Sequence, residues 1–502
     1  MNERIFISTA IPYVNAAPHL GFAAELVLTD ALARHHRERG REVFALTGTD
    51  ENSLKNARAA EAAGVPVAQL VAQNAALFQA LAEPLGLGFD DFIRTSADPR
   101  HRPGVEALWR ACLARGDLYR RRYRGLYCVG CEAFYTPAEL DPEGLCPEHR
   151  RPPEVVEEEN WFFRLSRFAD QLAELITSDR LRIRPEAHKN AALAFLQSGL
   201  QDISVSRSVA RARGWGIGVP DDPTQVIYVW FDALANYINA AGYAHDDARF
   251  EARWHGARRV HVLGKGVLRF HAIYWPAILL SAGLPVPDEL LVHAYVTVEG
   301  DKIGKSLGNT VDPVRLAHAY GTDVLRYFLL RHVRTTHDSD FTEAALVRAR
   351  DAELADQLGN LVRRVAGLCR STGGRVPEPG PSPLAEPTQA LLCTVDAAVQ
   401  AFLPHQALEA IFAHLAALNR YVAEEAPWRL ARDPEAQERL HRIVYGLAEA
   451  TRLTACSLKP FLPVSSARIL AQLGLDPGAP PVFGAGRAVG PADPGAVLFP
   501  KG

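Results

Sequence analysis

Lysine is scarce in this chain. Only seven of its 55 basic residues are lysine, at positions 55, 189, 265, 302, 305, 459 and 501, and arginine supplies the rest. Two of the seven, Lys302 and Lys305, stand together in Asp301-Lys-Ile-Gly-Lys-Ser306. Arginine is a rigid planar fork, whereas lysine is a compact charge on a flexible stem. A lysine pair in a chain that otherwise takes arginine marks a place where the ammonium itself is wanted. A phosphate chain is its natural partner. The competing reading is a solvated turn, since short motifs also match by chance.

Other absences narrow the class. Met1 is the only methionine, and the sequence offers no physical reason for that. No apolar run reaches the ~18 residues of a membrane span. The N-terminus carries no basic segment followed by an apolar one. The expectation is a cytoplasmic protein with no membrane partner. The seven cysteines are too few and too unevenly spaced for a secreted disulfide framework. A net charge of −3 excludes a globally basic protein, so a nucleic-acid partner requires local patches. Arg34-His-His-Arg-Glu-Arg39 with Arg41, and Tyr119-Arg-Arg-Arg-Tyr-Arg124, are the candidates. A solvated face explains both equally well.

What is present reads as a globular protein of several domains, because 502 residues exceed what one core organises. Arg4–Ser8 reads as a short buried strand. Thr9–Pro18 is a loop broken by Pro12, Asn15 and Pro18, and an apolar-periodic helix runs from His19 to about Arg39. A second strand, Glu42–Leu46, ends in Thr47-Gly-Thr-Asp50. This β-loop-α-β order opens a doubly wound nucleotide-binding fold. His19-Leu-Gly-Phe22 lies in the first helical turn, where free N–H groups and the helix dipole suit an anion. Gly21 lets a ligand approach the backbone there.

Residues 116–210 break the pattern and read as an insertion. The α/β pattern resumes with a strand at Gln225–Trp230 leading into a helix, and another at Arg259–Leu263. Leu290–Val298 is extended, and the paired lysines follow. From about Thr342 the chain is nearly all helical in pattern, apart from a loop at Gly373–Pro387 and an irregular tail after Gly474.

Cys128-x2-Cys131-x14-Cys146-x2-His149 has the spacing of two metal knuckles. Three thiolates and one imidazole fill a tetrahedral Zn²⁺ and leave no position for substrate water, so the site reads as structural. It staples a polar segment that builds no core of its own. Disulfides or free thiols are the alternative. Cys112, Cys369, Cys393 and Cys456 sit in apolar helical contexts and are expected in the core.

With these residues in view, the chain resembles the class I aminoacyl-tRNA synthetases. Pro18-His-Leu-Gly-Phe22 resembles their HIGH signature and Lys302-Ile-Gly-Lys-Ser306 their KMSKS loop. Thr9-Ala-Ile-Pro-Tyr-Val-Asn15, Thr47-Gly-Thr-Asp-Glu51, Tyr228-Val-Trp-Phe-Asp-Ala233 and Phe270-His-Ala-Ile-Tyr-Trp-Pro276 resemble the methionyl-tRNA synthetases in particular. The four-ligand knuckle resembles that family's single-zinc connective peptide. The likeness runs to Leu498-Phe-Pro-Lys501.

The resemblance implies a Rossmann-like parallel sheet interrupted by a zinc-binding insertion and followed by a helical bundle. The implied parts are residues 1–115 and 211–296 as two catalytic halves, 116–210 as the insertion, 297–345 as the lysine loop and stem-contact region, and 346–502 as the anticodon-binding domain with its tail. It implies a methionine pocket of Ala10, Ile11, Tyr13, Trp230, Ala233, Leu234, Tyr237, Val267 and His271, with Asp50 holding the α-ammonium. It implies ATP binding by His19, Gly21, Lys302, Lys305 and Ser306, with His19 and the two lysines catalytic and Mg²⁺ accompanying ATP. It implies anticodon reading by Asn360, Arg364 and Trp428. Methionine would be activated to methionyl-adenylate and passed to the 3′ end of tRNA(Met), by a monomer holding one structural Zn²⁺ through Cys128, Cys131, Cys146 and His149.

The chain departs from the family pattern in places. Phe22 replaces the second histidine of the signature, and Gly266 the usual aspartate after Gly264-Lys265. Ile303 and Gly304 replace methionine and serine, and Asn52 the usual histidine or tyrosine. These changes are expected to gather at the ATP end. Two alternatives follow: a catalytically weak or silent tRNA-binding paralogue, and an adenylate-forming paralogue with another acceptor.

Overall fold

The computed structural model describes residues 3–501 except 131, 132, 136, 149 and 304–307, and except the side chains of 133, 134 and 138. The chain forms two compact units. The first comprises Met1–Pro18, Gly40–Ala82 and Gly88–His293; the second comprises His19–Arg39, Glu83–Leu87 and Ala294–Gly502.

A six-stranded sheet organises the first unit. Its order is Asp91–Arg94, Glu42–Thr49, Arg4–Thr9, Arg258–Gly264, Glu289–His293 and Arg182–Arg184, and every neighbouring pair is parallel. Parallel strands are covered on both faces, so they read as continuous apolar runs. Ile5, Phe6 and Ile7 are buried, as are Val260, Val262 and Leu263. The Arg4–Thr9 strand has Glu42–Thr49 on one side and Arg258–Gly264 on the other, so the strand order reverses beside it. Ligands of open α/β sheets bind outside the carboxyl ends of strands at such a switch point.

The expected doubly wound sheet is therefore present, with differences of detail. Arg182–Arg184 falls within the stretch read as an insertion yet forms the sheet's last strand. The segment expected as a strand through Trp230 stops at Ile227. It belongs to a separate three-stranded antiparallel sheet of Gly218–Val219, Asp222–Ile227 and Ser206–Ser208. A helix begins at Val229.

The insertion builds a four-stranded antiparallel sheet in the order Ala133–Tyr135, Leu118–Cys128, Glu154–Phe163 and Ile203–Ser204. Its register sets Arg124 opposite Glu157 and Arg122 opposite Glu159, and opposite charges directly across a ladder stabilise it.

In the second unit the helix Leu20–Glu38 is almost wholly buried along its length. Asp30 on it meets the guanidinium of Arg326 at 2.8 Å, both fully buried. Arg326 also donates to the carbonyls of Leu85, Pro460 and Phe461. This unit continues into helices Asn360–Ser371, Ala385–Gln400, Pro404–Glu425, Gln437–Leu458 and Pro463–Leu473. Leu498 and Phe499 of the tail are buried. Of the four cysteines expected in the core, Cys112 and Cys369 are buried, Cys456 is intermediate and Cys393 is exposed. On the Ala385–Gln400 helix the buried stripe is Leu391, Val395 and Val399, which leaves Cys393 off that face.

Candidate active site

At the switch point of the first unit, Ala10 N–H donates to Val262 O at 2.9 Å and so continues the pairing of the two central strands. The next turn is latched to the loop after Glu42–Thr49: Asp50 N–H donates to Pro12 O at 2.8 Å, and Tyr13 bridges to Asp50. Asn56 Nδ2 donates to the carbonyls of Asp50 and Glu51. Asp50 is thereby held in a buried position, 1% exposed. Ile11 is partly buried between Ala10 and Tyr13 in sequence.

The aromatic residues form a wall of two groups of touching rings, joined in sequence at Phe270 and His271. The Tyr13 ring meets Trp230 edge-on at 6.3 Å. Trp230 stacks on Phe270 with centroids 3.6 Å apart and planes 7° from parallel. Trp230, Ala233 and Leu234 share the short helix Val229–Leu234 and are buried. Tyr237, on the next helix, is also buried and lies within hydrogen-bond reach of His271, Oη to Nε2 2.7 Å. His271 Nδ1 is 3.0 Å from Val267 O. That carbonyl only accepts, so Nδ1 carries the proton and Tyr237 donates to Nε2. Phe270 and His271 lie on a π-helical turn, Phe270–Tyr274, a local widening that is frequent at functional sites.

His271 is neutral: burial pushes its pKa down to about 4, against a weaker upward pull from the bond to Val267 O. His261 is also buried, 4.1 Å from the Tyr237 ring and 2.7 Å from Ser8 Oγ. Burial first, then His271 and Arg259, hold it well below the ordinary range. The wall is thus uncharged and aromatic, with Asp50 as a buried carboxylate in the same unit. An amino acid with a long apolar side chain and a free ammonium matches that chemistry.

In the second unit His19 caps the helix Leu20–Glu38, its Nδ1 accepting from Gly21 N–H at 3.1 Å. Nδ1 is therefore the acceptor nitrogen, and Nε2–H is the donor the ring offers. Burial, then the nearby charge of Lys302, lower its pKa. Gly21 was expected to admit a ligand to the backbone; the structure gives another reason for it. A Cβ at residue 21 would lie 3.1 Å from His19 Cε1 and 3.2 Å from Nδ1. The glycine makes room for the histidine ring.

Leu20 N–H donates to Val311 O at 2.9 Å, tying the helix start to the segment after the lysine loop. Lys302 ends a two-residue strand paired with Val296–Val298, and its ammonium sits 4.2 Å from the Tyr295 ring centroid. Sequence reasoning missed Tyr295, because nothing in the sequence marks the residue just before the paired strand Val296–Val298 as a lysine partner. Lys305 and Ser306 lie outside the described residues. Among the departures, Ile303 is buried, 4% exposed, so its apolar side chain serves packing.

Arg364 and Trp428 are brought together, guanidinium carbon to ring centroid 5.8 Å. Trp428 is 44% exposed, an unusual position for so large an apolar ring. Asn360 opens the helix that carries Arg364, on its exposed side. Of the two arginine-rich candidates, the first is largely paired within the fold, whereas the arginines of the second are exposed. Arg34 pairs with Asp30, while His35 and Arg39 pair with Asp396. The second faces the glutamate-rich strand described above.

At the expected metal knuckle, Cys128 closes the strand Leu118–Cys128 and Cys146 sits in a turn in which Arg150 N–H donates to Cys146 O at 2.7 Å. Both are buried, and neither is in a disulfide. Cys131 and His149 lie outside the described residues. Among the described residues no group of three or more ligating side chains converges.

Comparison with known proteins gives the family. The pattern of the family described as tRNA synthetases class I (M) matches residues 5–152 and 149–366. A methionine–tRNA ligase of Mycobacterium bovis is 41% identical over 485 residues, covering 94% of this chain and 92% of the relative. One from Brucella suis is 40% identical over 490 residues, covering 94% and 92%. The crystal structure of Mycobacterium tuberculosis methionyl-tRNA synthetase bound by methionyl-adenylate superposes with a TM-score of 0.93 at 38% identity, covering 99% of this chain and 100% of that one. This chain belongs to the class I tRNA synthetases of the methionine type.

Proposed function

We propose that the protein is a methionine–tRNA ligase: it activates L-methionine with ATP to methionyl-adenylate and transfers the methionyl group to the 3′ end of tRNA(Met). The observation that carries the reading is the neutral aromatic wall of Tyr13, Trp230, Phe270, Tyr237 and His271 in the unit that also buries Asp50. A thioether gains from sulfur–aromatic contacts, and Asp50 is the charge partner for the α-ammonium. The relatives named methionine–tRNA ligase, and the relative solved with methionyl-adenylate, support the same substrate.

Chemically, the methionine carboxylate attacks the α-phosphorus and pyrophosphate leaves. The protein's task is to position the reactants and stabilise charge. His19 Nε2–H and Lys302 are donors suited to phosphate oxygens, and Lys305 and Ser306 join them by the family likeness. Mg²⁺ travels with ATP and neutralises phosphate charge. Asn360, Arg364 and Trp428 read the anticodon, with an unstacked base lying on the exposed indole.

Cys128, Cys131, Cys146 and His149 would hold one Zn²⁺. The donor chemistry fits, since Cys128, at the end of its strand, and Cys146, in a turn, are both buried and outside disulfides. Such a metal holds turns together and supplies no reaction step. We place the protein in the cytoplasm as a monomer; no described helix is long and apolar enough to cross a membrane.

Methionine-dependent ATP–pyrophosphate exchange against a panel of amino acids, followed by charging of initiator and elongator tRNA, tests the reading. Exchange confined to methionine and charging of both tRNAs are expected. No exchange with any amino acid leaves the silent tRNA-binding paralogue. Exchange without charging leaves a different acceptor.

A further inference from the structure

Asn52 was expected among departures at the ATP end, yet its amide is engaged elsewhere. Nδ2 donates to Asp232 Oδ2 at 2.8 Å and to Thr95 O at 3.2 Å. Asp232 Oδ1 lies 2.5 Å from His101 Nε2. At the far end of the chain Asn239 Nδ2 donates to His101 O at 3.1 Å and faces His101 Nδ1 at 3.2 Å. The bond to the carbonyl fixes the amide's orientation. Nδ1 therefore accepts, and Nε2–H donates to Asp232. All four side chains are buried, between 0% and 8% exposed. Gly104 makes room for the last of them, since a Cβ there would meet Asn239 Nδ2 at 2.9 Å.

The four groups come from four separate elements. Asn52 is two residues beyond Asp50. Asp232 lies between Trp230 and the pair Ala233 and Leu234 on their helix. His101 opens the helix His101–Ala114, and Asn239 shares a helix with Tyr237. A buried carboxylate oxygen that loses its donor must find another or shift. The elements bearing the amino-acid wall and the ammonium partner therefore share one hydrogen-bonded chain.

Resting on the methionine reading above, we infer that Asn52 and Asp232 are positioning residues for amino-acid recognition: their bond fixes the Asp50 loop against the helix that presents Trp230, Ala233 and Leu234. Neither touches the substrate; each acts through its neighbours in the chain. The donor on residue 52 is what matters, and an isosteric acceptor there opens the joint.

The test is Asn52→Asp, which keeps the shape and replaces the donor with a carboxylate facing Asp232, and the role-reversing double variant Asn52→Asp with Asp232→Asn. Exchange kinetics are measured with methionine and with ATP varied in turn, beside thermal melts. We expect the single variant to raise the methionine KM at least tenfold with the ATP KM within twofold of the parent. The double variant, with amide and carboxylate exchanged, should recover most of that rise. The inference is overturned by a methionine KM within twofold, by equal rises for both substrates, or by no recovery in the double variant. If Asn52→Asp does not fold, Asn52→Ser is judged by the same two KM criteria. Absence of exchange in the unsubstituted protein defeats the functional reading and this inference together; normal exchange there with an insensitive variant defeats this inference alone.

Discussion

Replacing Gly21 by alanine separates stability from catalysis. The added Cβ would stand 3.1 Å from His19 Cε1 and 3.2 Å from Nδ1, closer than ordinary van der Waals contact. The ring is a side chain and yields by rotating, and the 3.1 Å bond from the residue 21 N–H to Nδ1 is lost with it. Loss of an N-cap bond costs about 1 kcal/mol. Alanine recovers about 0.5–1 kcal/mol over glycine in a helix. The two nearly cancel, so the melting temperature should hardly move.

The rate should not be spared. His19 offers Nε2–H because Nδ1 is occupied by the cap, and rotation turns that donor away. Removing one donor aimed at developing charge costs roughly 10²–10³ in rate. Displacing it should cost at least ~10-fold in exchange kcat, with the methionine KM unchanged. His19→Asn is the companion variant, since asparagine caps helices well but lacks the reach of the imidazole. It should melt like the parent and lose activity. Exchange within twofold for Gly21→Ala at an unchanged melting temperature would refute the capping argument. So would a destabilisation above about 2 kcal/mol, because it would show that the ring does not yield.

Much of the frame was legible before any coordinates. Arg4–Ser8 and Arg259–Leu263 are apolar runs bounded by loop residues, and buried parallel strands leave that trace. Arg182–Arg184 left none: at three residues, Arg-Ile-Arg, it has too little pattern to distinguish a sheet edge from a turn. Gln225–Ile227 was legible as a strand, but not the sheet it would join, because pairing partners are set by contacts distant in sequence. The same limit applied to the arginine stretches. Their counter-charges, Asp396 for Arg39 and Glu157 for Arg124, lie far along the chain. Asn52 shows the limit at the site itself. As a departure from the family pattern it was grouped with the changes at the ATP end, and its partner Asp232 is 180 residues away.

Three further expectations can be checked. Trp428→Ala should lower kcat/KM for tRNA roughly 10- to 100-fold, the worth of one stacked base, with exchange untouched; an equal loss of exchange would contradict an anticodon role. Purified protein should carry about one zinc per chain, and Cys128→Ser should lose it and expose the insertion to protease; full zinc retention would remove Cys128 from the ligand set. The last concerns His271, whose pKa stands near 4 in the fold against an ordinary 6.5. The unfolded chain therefore binds a proton that the fold refuses between those values. Stability is complete above 6.5 and falls as pH drops through it, by about 1.4 kcal/mol per unit. The fall levels near pH 4, where the folded imidazole also takes its proton, after a loss on the order of 3 kcal/mol. His261 adds in the same direction. Urea melts from pH 7 to pH 4 should show a shallower decline for His271→Asn than for the parent. Parallel declines would mean that the imidazole is protonated in the fold, and then it could not accept the proton of Tyr237.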